Sequence, residues 1–335
     1  MKPTDRLHLL IAAAAILLGV VAPADALDLA RDDVDAFMTE MEQNNGFDRA
    51  WLDELLLKAS SQPRIIELMS RPAERVTPWH EYRDHFLTER RIDEGVQFWQ
   101  QHREQLAAIE GETGVPQSVI VGILGVETFY GRITGTFRVI DALATLAFDY
   151  PPRSRYFRAE LEQFLLLTRE EDVDPVAAKG SYAGAMGYPQ FMPRSYRAYA
   201  VDGNADGRRD LWTSIDDVIA SVANYLVQHG WRSGEPVVAP AELVYADADG
   251  LVAGSIVANE TVQSLRDKGL TFDTNLDGCA PALFIDVAGV EGPELRAGFH
   301  NFAVITTYNR SVLYALAVND LGQAIEARLP PAPAK

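Results

Sequence analysis

The sequence predicts a mainly α protein of the α+β class, in which helices surround a smaller β-rich segment. Two observations carry this prediction. Apolar residues recur at helical spacing through most of the chain up to Gly234 and again near the C-terminus. Between these regions, short β-branched stretches alternate with Asp and Gly, which is typical of strands joined by turns. At 335 residues the chain exceeds one typical hydrophobic core, so we expect more than one domain.

The N-terminus has the three parts of a secretory signal peptide. Lys2 and Arg6 supply positive charge, an apolar segment of about 14 residues follows, and Ala24-Asp25-Ala26 offers a small-residue cleavage site. The apolar segment is shorter than the roughly 20 residues that span a bilayer, which favours cleavage over an uncleaved anchor. We therefore predict a signal peptide over residues 1–26, cleaved near Ala26, and an exported, periplasmic product without a transmembrane anchor.

Charge and cysteine content exclude several classes of function. The formal net charge of −18 argues against nucleic acid and against an anionic lipid surface as partners. A neutral or zwitterionic polymer is compatible with this charge, although charge alone identifies none. Cys279 is the only cysteine, which excludes an intramolecular disulfide and a cysteine-based metal cluster. We predict that Cys279 is a small buried apolar residue.

Residues 27–110 are predicted to form an N-terminal helical domain. Apolar side chains recur at helical spacing from Leu29 to Ile109, and the pattern ends at the helix-stop residue Gly114. One helix of this region is expected to place five apolar side chains near one broad face, namely Trp51, Leu52, Leu55, Leu56 and Leu57.

Residues 111–234 carry the most apolar helices and are predicted to form the central core. The helix PQSVIVGILGVETF is apolar on most sides, so it should be buried. Three further segments keep the helical period: IDALATLAFDY, YFRAELEQFLLLTREE and IDDVIASVANYLVQHGW. Between the last two, residues 179–200 are too rich in Gly and Pro for one regular element, which predicts loops with short helical pieces.

The composition changes after Gly234. The stretches EPVVAPAELVYA, LVAGSIVA and PALFIDVAG predict short strands, which would form a small β-rich insert over residues 235–298. The helical pattern then returns over residues 299–328, which should rejoin the core. Residues 329–335 are predicted to be a disordered tail.

Glu127 follows VIVGILGV, a run of eight residues without a polar side chain. Burying an ionised carboxylate costs several kcal/mol, so this position needs an explanation. One interpretation is a helix-terminal Glu whose side chain reaches water. The other is a carboxyl in an apolar wall, whose pKa rises until it can act as a general acid near neutral pH. The local run favours the first without excluding the second.

The segment Gly180–Pro193 combines small, aromatic and polar residues. Its glycines let the chain approach a ligand closely. Aromatic rings would stack on sugar rings, and polar groups would bind sugar hydroxyls. A turn-rich structural connection explains the same composition, so both interpretations stay open. The side chains concerned are Ser181, Tyr182, Tyr188, Gln190 and Phe191.

The segment DGNADGRRDLWTSIDD opens like an EF-hand calcium loop. It fits the pattern D-x-[DN]-x-[DN]-G, but its twelfth position is Thr213 where a calcium loop has Glu. Asp216 or Asp217 would have to close a longer loop; counting favours Asp216. A metal-free turn is the alternative, and we favour such a turn for the second hexamer, DTNLDG at Asp273. The candidate calcium ligands are Asp202, Asn204, Asp206, Arg208, Asp216 and Asp217.

Five segments in one order resemble the lytic murein transglycosylases of the B type. The last of them contains Tyr308, Asn309 and Tyr314, for which helix packing is otherwise a sufficient explanation. The resemblance covers about residues 119–231 and 301–325, and the N-terminal helices more weakly. The segments are VGILGVETFYG, DALATLAFDYP, KGSYAGAMGYPQFMPRSY, the DGNADG loop with LW and IASVANYL, and VITTYNRSVLYALAV.

The resemblance implies a lysozyme-like core, a helical N-terminal domain, a small β insert, structural Ca²⁺ and a peptidoglycan glycan strand as substrate. It makes Glu127 the catalytic residue, and Asp217 the better-aligned closing ligand. Proteins of cell-wall synthesis or remodelling are candidate partners. The sequence departs from the family pattern at two places: Pro189 replaces a Gly that some family members have, and Phe129-Tyr130 replaces the usual Arg-Trp. The implied substrate-binding residues are Tyr156, Ser181, Gln190, Phe191, Tyr225, Tyr308, Asn309 and Tyr314.

The reaction implied is cleavage of the β-1,4 bond between N-acetylmuramic acid and N-acetylglucosamine, with formation of a 1,6-anhydro ring. No second Asp or Glu lies in VETFYG or SYAGAMGYPQF, so one carboxyl would serve both proton transfers. The rival hypotheses are a hydrolytic muramidase on the same fold and a non-catalytic peptidoglycan-binding protein. A calcium sensor is a poorer hypothesis, because only one loop is convincing and no paired opening helices are evident.

Overall fold

The computed structural model describes residues 25–70, 77–244 and 250–330, which are mainly helical, as predicted. The predicted signal peptide lies outside the described residues except for Asp25 and Ala26, and so does most of the predicted tail. Within the described residues, no helix combines the length and the apolar character that a membrane crossing requires.

The N-terminal region consists of helices with one small β pair. Strand β1 (Asp25–Ala26) pairs antiparallel with β2 (Ser60–Ser61). The side chain of Asp48 caps the second helix by accepting a hydrogen bond from the backbone N–H of Trp51 at 2.8 Å. The helices are α1 (Asp32–Asn45), α2 (Arg49–Leu57), α3 (Pro63–Ser70), α4 (Trp79–Phe86), α5 (Glu89–Gln101) and α6 (Arg103–Thr113).

The apolar face of α2 is narrower than predicted. Leu52, Leu55 and Leu56 are buried, whereas Trp51 is 38% exposed and Leu57 is 61% exposed. At 3.6 residues per turn, the two outer residues point away from the arc that the three leucines define. Trp51 is therefore a large aromatic side chain that core packing does not use.

The central core follows the predicted helices closely. Strands β3 (Phe137–Arg138) and β4 (Lys179–Gly180) pair antiparallel and connect the glycine-rich segment to the start of the second core helix. The core helices before the insert are α7 (Gln117–Thr128), α8 (Val139–Phe148), α9 (Ser154–Glu170), α10 (Pro193–Tyr199) and α11 (Ile215–Gln228), with a 3₁₀ turn at Pro151–Arg153.

The insert contains a four-stranded antiparallel sheet in the order β5-β10-β9-β7, and strands β6 and β8 pair separately. Its longest ladder joins β9 to β10, with Arg296 opposite Ile285. The strand β10 and the helix α12 were not predicted. The elements are β5 (Val238–Pro240), β6 (Glu242–Leu243), β7 (Glu260–Thr261), α12 (Val262–Asp267), β8 (Leu270–Thr271), β9 (Pro281–Ala288) and β10 (Pro293–Phe299).

Two predictions for the insert are wrong. The stretch LVAGSIVA, residues 251–258, forms no strand; Val252 is 66% exposed and Val257 63%. A β-branched sequence becomes a strand only where a neighbouring strand pairs with it and a core covers one face. Cys279 is exposed rather than buried, because it lies in a turn where its N–H donates to Asp277 Oδ1 at 2.7 Å. The segment 273–278 has only bends and turns, as favoured for DTNLDG.

The chain returns to the core with α13 (His300–Tyr308) and α14 (Val312–Glu326). Helix α14 packs antiparallel against α7, and glycines on both helices make the approach possible. A Cβ atom on Gly122 would overlap the carbonyl oxygen of Val318, and one on Gly322 would overlap that of Ser118. This close packing fixes which residues of the two helices face each other.

Buried side chains from the N-terminal helices and the central helices belong to one hydrophobic core, from Leu27 to Ile325. The insert has a second, smaller core that includes Phe272, Phe284 and Phe299. The N-terminal helices are thus held against the central helices by shared apolar packing. The boundaries proposed above for the domains stay a prediction.

Candidate active site

Glu127 lies in the last turn of α7 and is partly exposed, whereas the run that precedes it is buried. The helix stops abruptly because Phe129 (φ +53°) and Tyr130 (φ +57°) both adopt the left-handed conformation. Such a conformation costs about 1–2 kcal/mol for a residue other than Gly, so the surrounding contacts must hold it in place. One of these contacts is the hydrogen bond from Thr128 Oγ1 to the carbonyl oxygen of Tyr188, at 2.9 Å.

Burial raises the pKa of Glu127 from 4.5 to about 7, against the opposing effect of a hydrogen bond from Tyr314. The C-terminal end of a helix carries partial negative charge, which also disfavours a carboxylate. Both protonation states are therefore populated near neutral pH. A carboxyl with this property can donate a proton and take one back.

Tyrosine hydroxyls surround the carboxyl. Tyr314, the residue of α14 that faces the end of α7, donates a hydrogen bond from its hydroxyl to Glu127 Oε1 at 2.6 Å. Burial, followed by the charge of Glu127, raises the pKa of Tyr308 and of Tyr314 well above 10. The pKa of Tyr82 is raised for the same two reasons. These tyrosines remain neutral hydrogen-bond donors while Glu127 titrates.

Tyr82 was not predicted from the sequence. It lies on α4, in the N-terminal region, and its ring is 5.1 Å from that of Phe86. The segment WHEYRDHF has no pattern that separates a site residue from a packing residue. Only the folding of α4 against α14 brings its side chain near Glu127.

An aromatic cluster continues from this carboxyl. The rings of Tyr225 and Tyr308 are 4.7 Å apart, and Phe191 lies 5.5 Å from the first and 5.8 Å from the second. The hydroxyl of Tyr308 donates to the carbonyl oxygen of Pro189 at 2.7 Å, and that of Tyr225 donates to the carbonyl oxygen of Thr307 at 2.8 Å. Residues predicted on three separate segments thus meet in one place.

The polar residues of the glycine-rich segment mainly hold its shape. Ser181 Oγ accepts hydrogen bonds from the N–H groups of Ala183 and Ala185, at 3.2 and 3.0 Å. Gln190 has a left-handed backbone (φ +52°), and its Nε2 donates to the carbonyl oxygen of Thr134 at 3.1 Å. Within the described residues, the side-chain oxygen of Gln190 accepts no hydrogen bond, so it is available to a ligand.

Tyr156 and Asn309 are not brought into the tyrosine cluster. Tyr156 is exposed beside a cavity of about 600 Å³, with the Arg153 guanidinium 4.6 Å from its ring centroid. Asn309 is exposed just after the end of α13. Among the described residues, neither has a side-chain contact with Glu127.

The family model described as "Transglycosylase SLT domain" matches residues 30–323. The chain belongs to this family. It is similar to the membrane-bound lytic murein transglycosylase B of Escherichia coli strain K12, with 42% identity over 298 residues, 86% of this chain and 81% of that protein. The enzyme is a lytic transglycosylase.

Two solved structures are similar to the enzyme throughout. The match to the lytic transglycosylase SltB1 of Pseudomonas aeruginosa has a TM-score of 0.85 and 47% identity, and covers 89% of this chain and 98% of that one. The match to E. coli Slt35 in complex with calcium has a TM-score of 0.82 and 41% identity, and covers 91% and 96%. These matches confirm the predicted mainly α fold with a lysozyme-like core.

The DGNADG segment of the enzyme is a tight loop. The carboxylate of Asp202 accepts from the N–H groups of Asp206 and Gly207, at 3.1 and 2.8 Å, and Asp206 Oδ1 accepts from the N–H of Arg208 at 2.9 Å. Asn204 Oδ1 accepts from Asp206 N–H at 3.0 Å. Gly207 has φ +89°, the conformation that the sixth position of a calcium loop requires.

The two candidate closing ligands have different surroundings. The buried carboxylate of Asp217 accepts from the N–H groups of Gly203 and Asp210, at 2.8 and 2.7 Å, so it lies against the loop. Asp216 instead lies near His102, the residue between α5 and α6. Burial lowers the pKa of His102, and the charge of Asp216 opposes that effect. In the described residues, no three His, Cys, Asp or Glu side chains are arranged to hold a metal.

Proposed function

We propose that this enzyme cleaves the β-1,4 bond between N-acetylmuramic acid and N-acetylglucosamine in peptidoglycan and leaves 1,6-anhydromuramyl ends. One observation carries the proposal: a single carboxyl, Glu127, has a pKa near neutrality among tyrosine side chains, one of which donates a hydrogen bond to it. The similarity to an E. coli enzyme named for its action on murein supports the substrate class.

Glu127 acts first as an acid and then as a base. Its protonated carboxyl donates to the bridging glycosidic oxygen as the bond to C1 breaks with oxocarbenium character. The resulting carboxylate accepts the proton of the muramyl 6-hydroxyl, whose oxygen attacks C1 and closes the ring. Glu127 is then protonated again. The Tyr314 hydroxyl stabilises the carboxylate between the two steps and fixes its orientation.

The surroundings of Glu127 support ring closure over hydrolysis with two carboxylates. Burial and the Tyr314 hydrogen bond are the influences on its pKa, and no carboxylate of the described residues adds to them. A two-carboxylate glycosidase needs a second acid about 5–9.5 Å from the first. Here the neighbouring polar groups are tyrosine hydroxyls, which are too weakly acidic to activate water as carboxylates do.

We propose that the aromatic cluster and the glycine-rich segment form the saccharide groove. Tyr308 is partly exposed and offers a ring face to a sugar, whereas Phe191 and Tyr225 are buried and support that ring from behind. The side-chain oxygen of Gln190 offers an acceptor for a sugar hydroxyl or acetamido N–H. Ser181 shapes the segment. Tyr156 and Asn309 would contact sugars or stem peptides farther from the cleaved bond.

The product separates this proposal from its rival. Digestion of purified sacculi should release muropeptides with 1,6-anhydro ends, because the 6-hydroxyl rather than water attacks C1. Mass spectrometry distinguishes the two by the mass of one water molecule. Products that carry only the added water would show a hydrolytic muramidase, and intact sacculi would favour a non-catalytic binding protein.

Replacement of Tyr314 by Phe should move the basic limb of the pH–rate profile to higher pH, by roughly one unit. The lost hydrogen bond lowers the pKa of Glu127 in the parent enzyme, so its removal raises that pKa further. Since the acid acts in its protonated form, activity then persists to higher pH. The measurement is sacculus solubilisation between pH 5 and 9. Tyr308→Phe is the matched control, because the hydroxyl of Tyr308 donates to the carbonyl oxygen of Pro189 rather than to Glu127. If the basic limb of the pH–rate profile did not move in Tyr314→Phe, the assignment of Glu127 as the acid would be contradicted.

We propose that the DGNADG loop holds a structural Ca²⁺. The donor set fits a hard cation: the side chains of Asp202, Asn204 and Asp206, the backbone carbonyl of Arg208, and Asp217 as the closing ligand. Asp217 supports the fit, because its buried carboxylate has no cationic partner among the described residues and keeps free lone pairs. The calcium complex of the similar Slt35 also supports it.

Calcium should therefore stabilise the fold. At 100 times its dissociation constant, Ca²⁺ would add about 2.7 kcal/mol to the free energy of unfolding. Thermal denaturation in Ca²⁺ and in a chelator measures the gain, and Asp202→Asn should remove most of it. Equal melting temperatures in calcium and in chelator would refute the site.

We also propose that the enzyme is exported by the signal peptide of residues 1–26 and acts in the periplasm. The regions 27–110, 111–234, 235–298 and 299–328 remain our proposed division of the mature chain. Nucleic acid is not an expected partner at a net charge of −18.

A further inference from the structure

Trp51 lies on a surface separate from the tyrosine cluster around Glu127. The ring of Phe47 stacks on one face of its indole, with centroids 5.4 Å apart and planes at 20°. The guanidinium of Arg169 lies over the Phe47 ring, at 4.1 Å from the ring centroid. Arg169 is fixed in turn by a hydrogen bond from its Nη1 to the carbonyl oxygen of Asn45 at 2.9 Å. These contacts hold Trp51 as a rigid platform with its remaining face exposed.

The platform lines a cavity of about 520 Å³ between the end of α1, the start of α2 and the end of α9. This volume lies in the range of sites that bind small molecules or single sugar units. Its wall combines the apolar rings with the side chains of Asp48, Thr168 and Asp172. Flat apolar surface beside polar groups suits a sugar, whose C–H face stacks on an indole while its hydroxyls bind at the rim.

A second cavity, of about 240 Å³, adjoins the first, since Asp172 and Val173 line both. It contains a further indole, Trp212, whose Nε1 donates to the carbonyl oxygen of Lys179 at 2.9 Å. The surface therefore has an aromatic ring on each side of a shared wall. Two linked cavities fit consecutive units of a polymer better than a single small ligand.

The charges of this surface favour a neutral occupant. Asp172 is paired with Arg208 at 3.3 Å, and Arg169 lies over the Phe47 ring. Each cavity presents both signs of charge, with one carboxylate more than guanidinium groups in its wall, which disfavours an anion. In the second cavity Arg209 is also paired with Glu171, so most of these charges are neutralised within the wall. The sugar backbone of a glycan strand has the matching chemistry. None of the residues lining either cavity belongs to the tyrosine cluster around Glu127.

We propose that these two cavities form a second glycan-binding site, which holds a peptidoglycan strand while Glu127 acts elsewhere on the same sacculus. The site rests on the proposed function, because its ligand is the substrate of that reaction. A polymer bound at two points is released more slowly than one bound at either point alone, since each site raises the local concentration at the other. The effect concerns long or insoluble glycan and is absent for short fragments, which cannot reach both sites.

The test compares Trp51→Ala, Trp51→Phe and Leu57→Ala, each in the Glu127→Gln chain, so that binding is measured without cleavage. Leu57 is the matched control, an exposed apolar residue on the same helix. We expect Trp51→Ala to weaken binding to purified sacculi about 10-fold in a sedimentation assay. Trp51→Phe should retain most of the binding, and Leu57→Ala all of it.

A second measurement uses Trp51→Ala with Glu127 present. Cleavage of a soluble tetrasaccharide should equal that of the parent enzyme, whereas solubilisation of sacculi should fall. Unchanged sacculus binding, or an equal loss on the tetrasaccharide, would overturn the second site while leaving the reaction intact. A parent enzyme that fails to cut sacculi would instead refute the proposed function, and the second site with it.

Discussion

Replacement of Glu127 by Gln should lower the rate of glycan cleavage about 10³-fold or more, without loss of glycan binding. The amide has the shape of the carboxyl and can still accept the hydrogen bond from Tyr314, but it neither donates a proton to the glycosidic oxygen nor removes one from the 6-hydroxyl. The measurement is anhydromuropeptide release from sacculi, with sedimentation to follow binding. Cleavage at the parent rate would place the acid on another residue.

The stability of Glu127→Gln, measured against pH, tests the raised pKa of Glu127 independently of activity. Folding raises the pKa of Glu127 from 4.5 to about 7, so the native state binds more protons than the unfolded state between these values. Stability therefore falls as pH rises through this window, and the full loss is present above pH 7. Gln does not titrate, so Glu127→Gln should match the parent near pH 4 and exceed it by up to about 3 kcal/mol at pH 8. Solvent that reaches the partly exposed carboxyl reduces this gain. A difference independent of pH would contradict the raised pKa.

Gly122→Ala should destabilise the enzyme by about 3 kcal/mol, although alanine is the better helix former by about 1 kcal/mol. The new Cβ would overlap the carbonyl oxygen of Val318, so α7 and α14 would have to separate. Gly111→Ala is the matched control: it lies in a helix, is exposed, and has no described atom within 4 Å of the position that a Cβ would take. It should stabilise by about 0.5–1 kcal/mol.

Urea denaturation measures both glycine variants. If the free energy of unfolding falls in Gly122→Ala and rises in Gly111→Ala, the loss in the first variant comes from the contact between the helices and not from helix propensity. A stabilising Gly122→Ala would show that the two helices tolerate a wider spacing. In that case the packing would not be what aligns Glu127 with Tyr314.

The helices of the core could be predicted because their apolar periodicity is local. No single local pattern identified the site, because the contact between Glu127 and Tyr314 spans 187 positions. The order of five segments, through their resemblance to a known family, predicted both residues. From its apolar run alone, Glu127 fitted a side chain that reaches water as well as a general acid. Tyr314 looked like ordinary helix packing, and Tyr82 gave no signal. Tyr314 meets Glu127 only when α14 packs against α7, and Tyr82 comes near Glu127 only when α4 packs against α14.

The errors in the insert have a similar cause. LVAGSIVA has the composition of a strand but has no strand to pair with, whereas PELRAGF, less β-branched, pairs with two neighbours in β10. Cys279 has the chemistry of a buried residue, but the turn that begins at Asp277 keeps it outside. Strand pairing depends on distant parts of the chain, and the exposure of Cys279 follows from a local turn rather than from its chemistry, so composition alone predicts both poorly.

The antiparallel packing of α7 and α14 has a consequence for the order in which the protein matures. Glu127, the proposed general acid, lies in the first half of the chain, but Tyr314, which donates a hydrogen bond to it, belongs to the final helix of the described residues. Contacts of such long sequence separation form late in folding, because the intervening chain must first be brought together. A nascent chain or a C-terminally truncated fragment therefore carries Glu127 without the Tyr314 hydroxyl, and the hydrogen bond between them forms only when the last helix packs against α7.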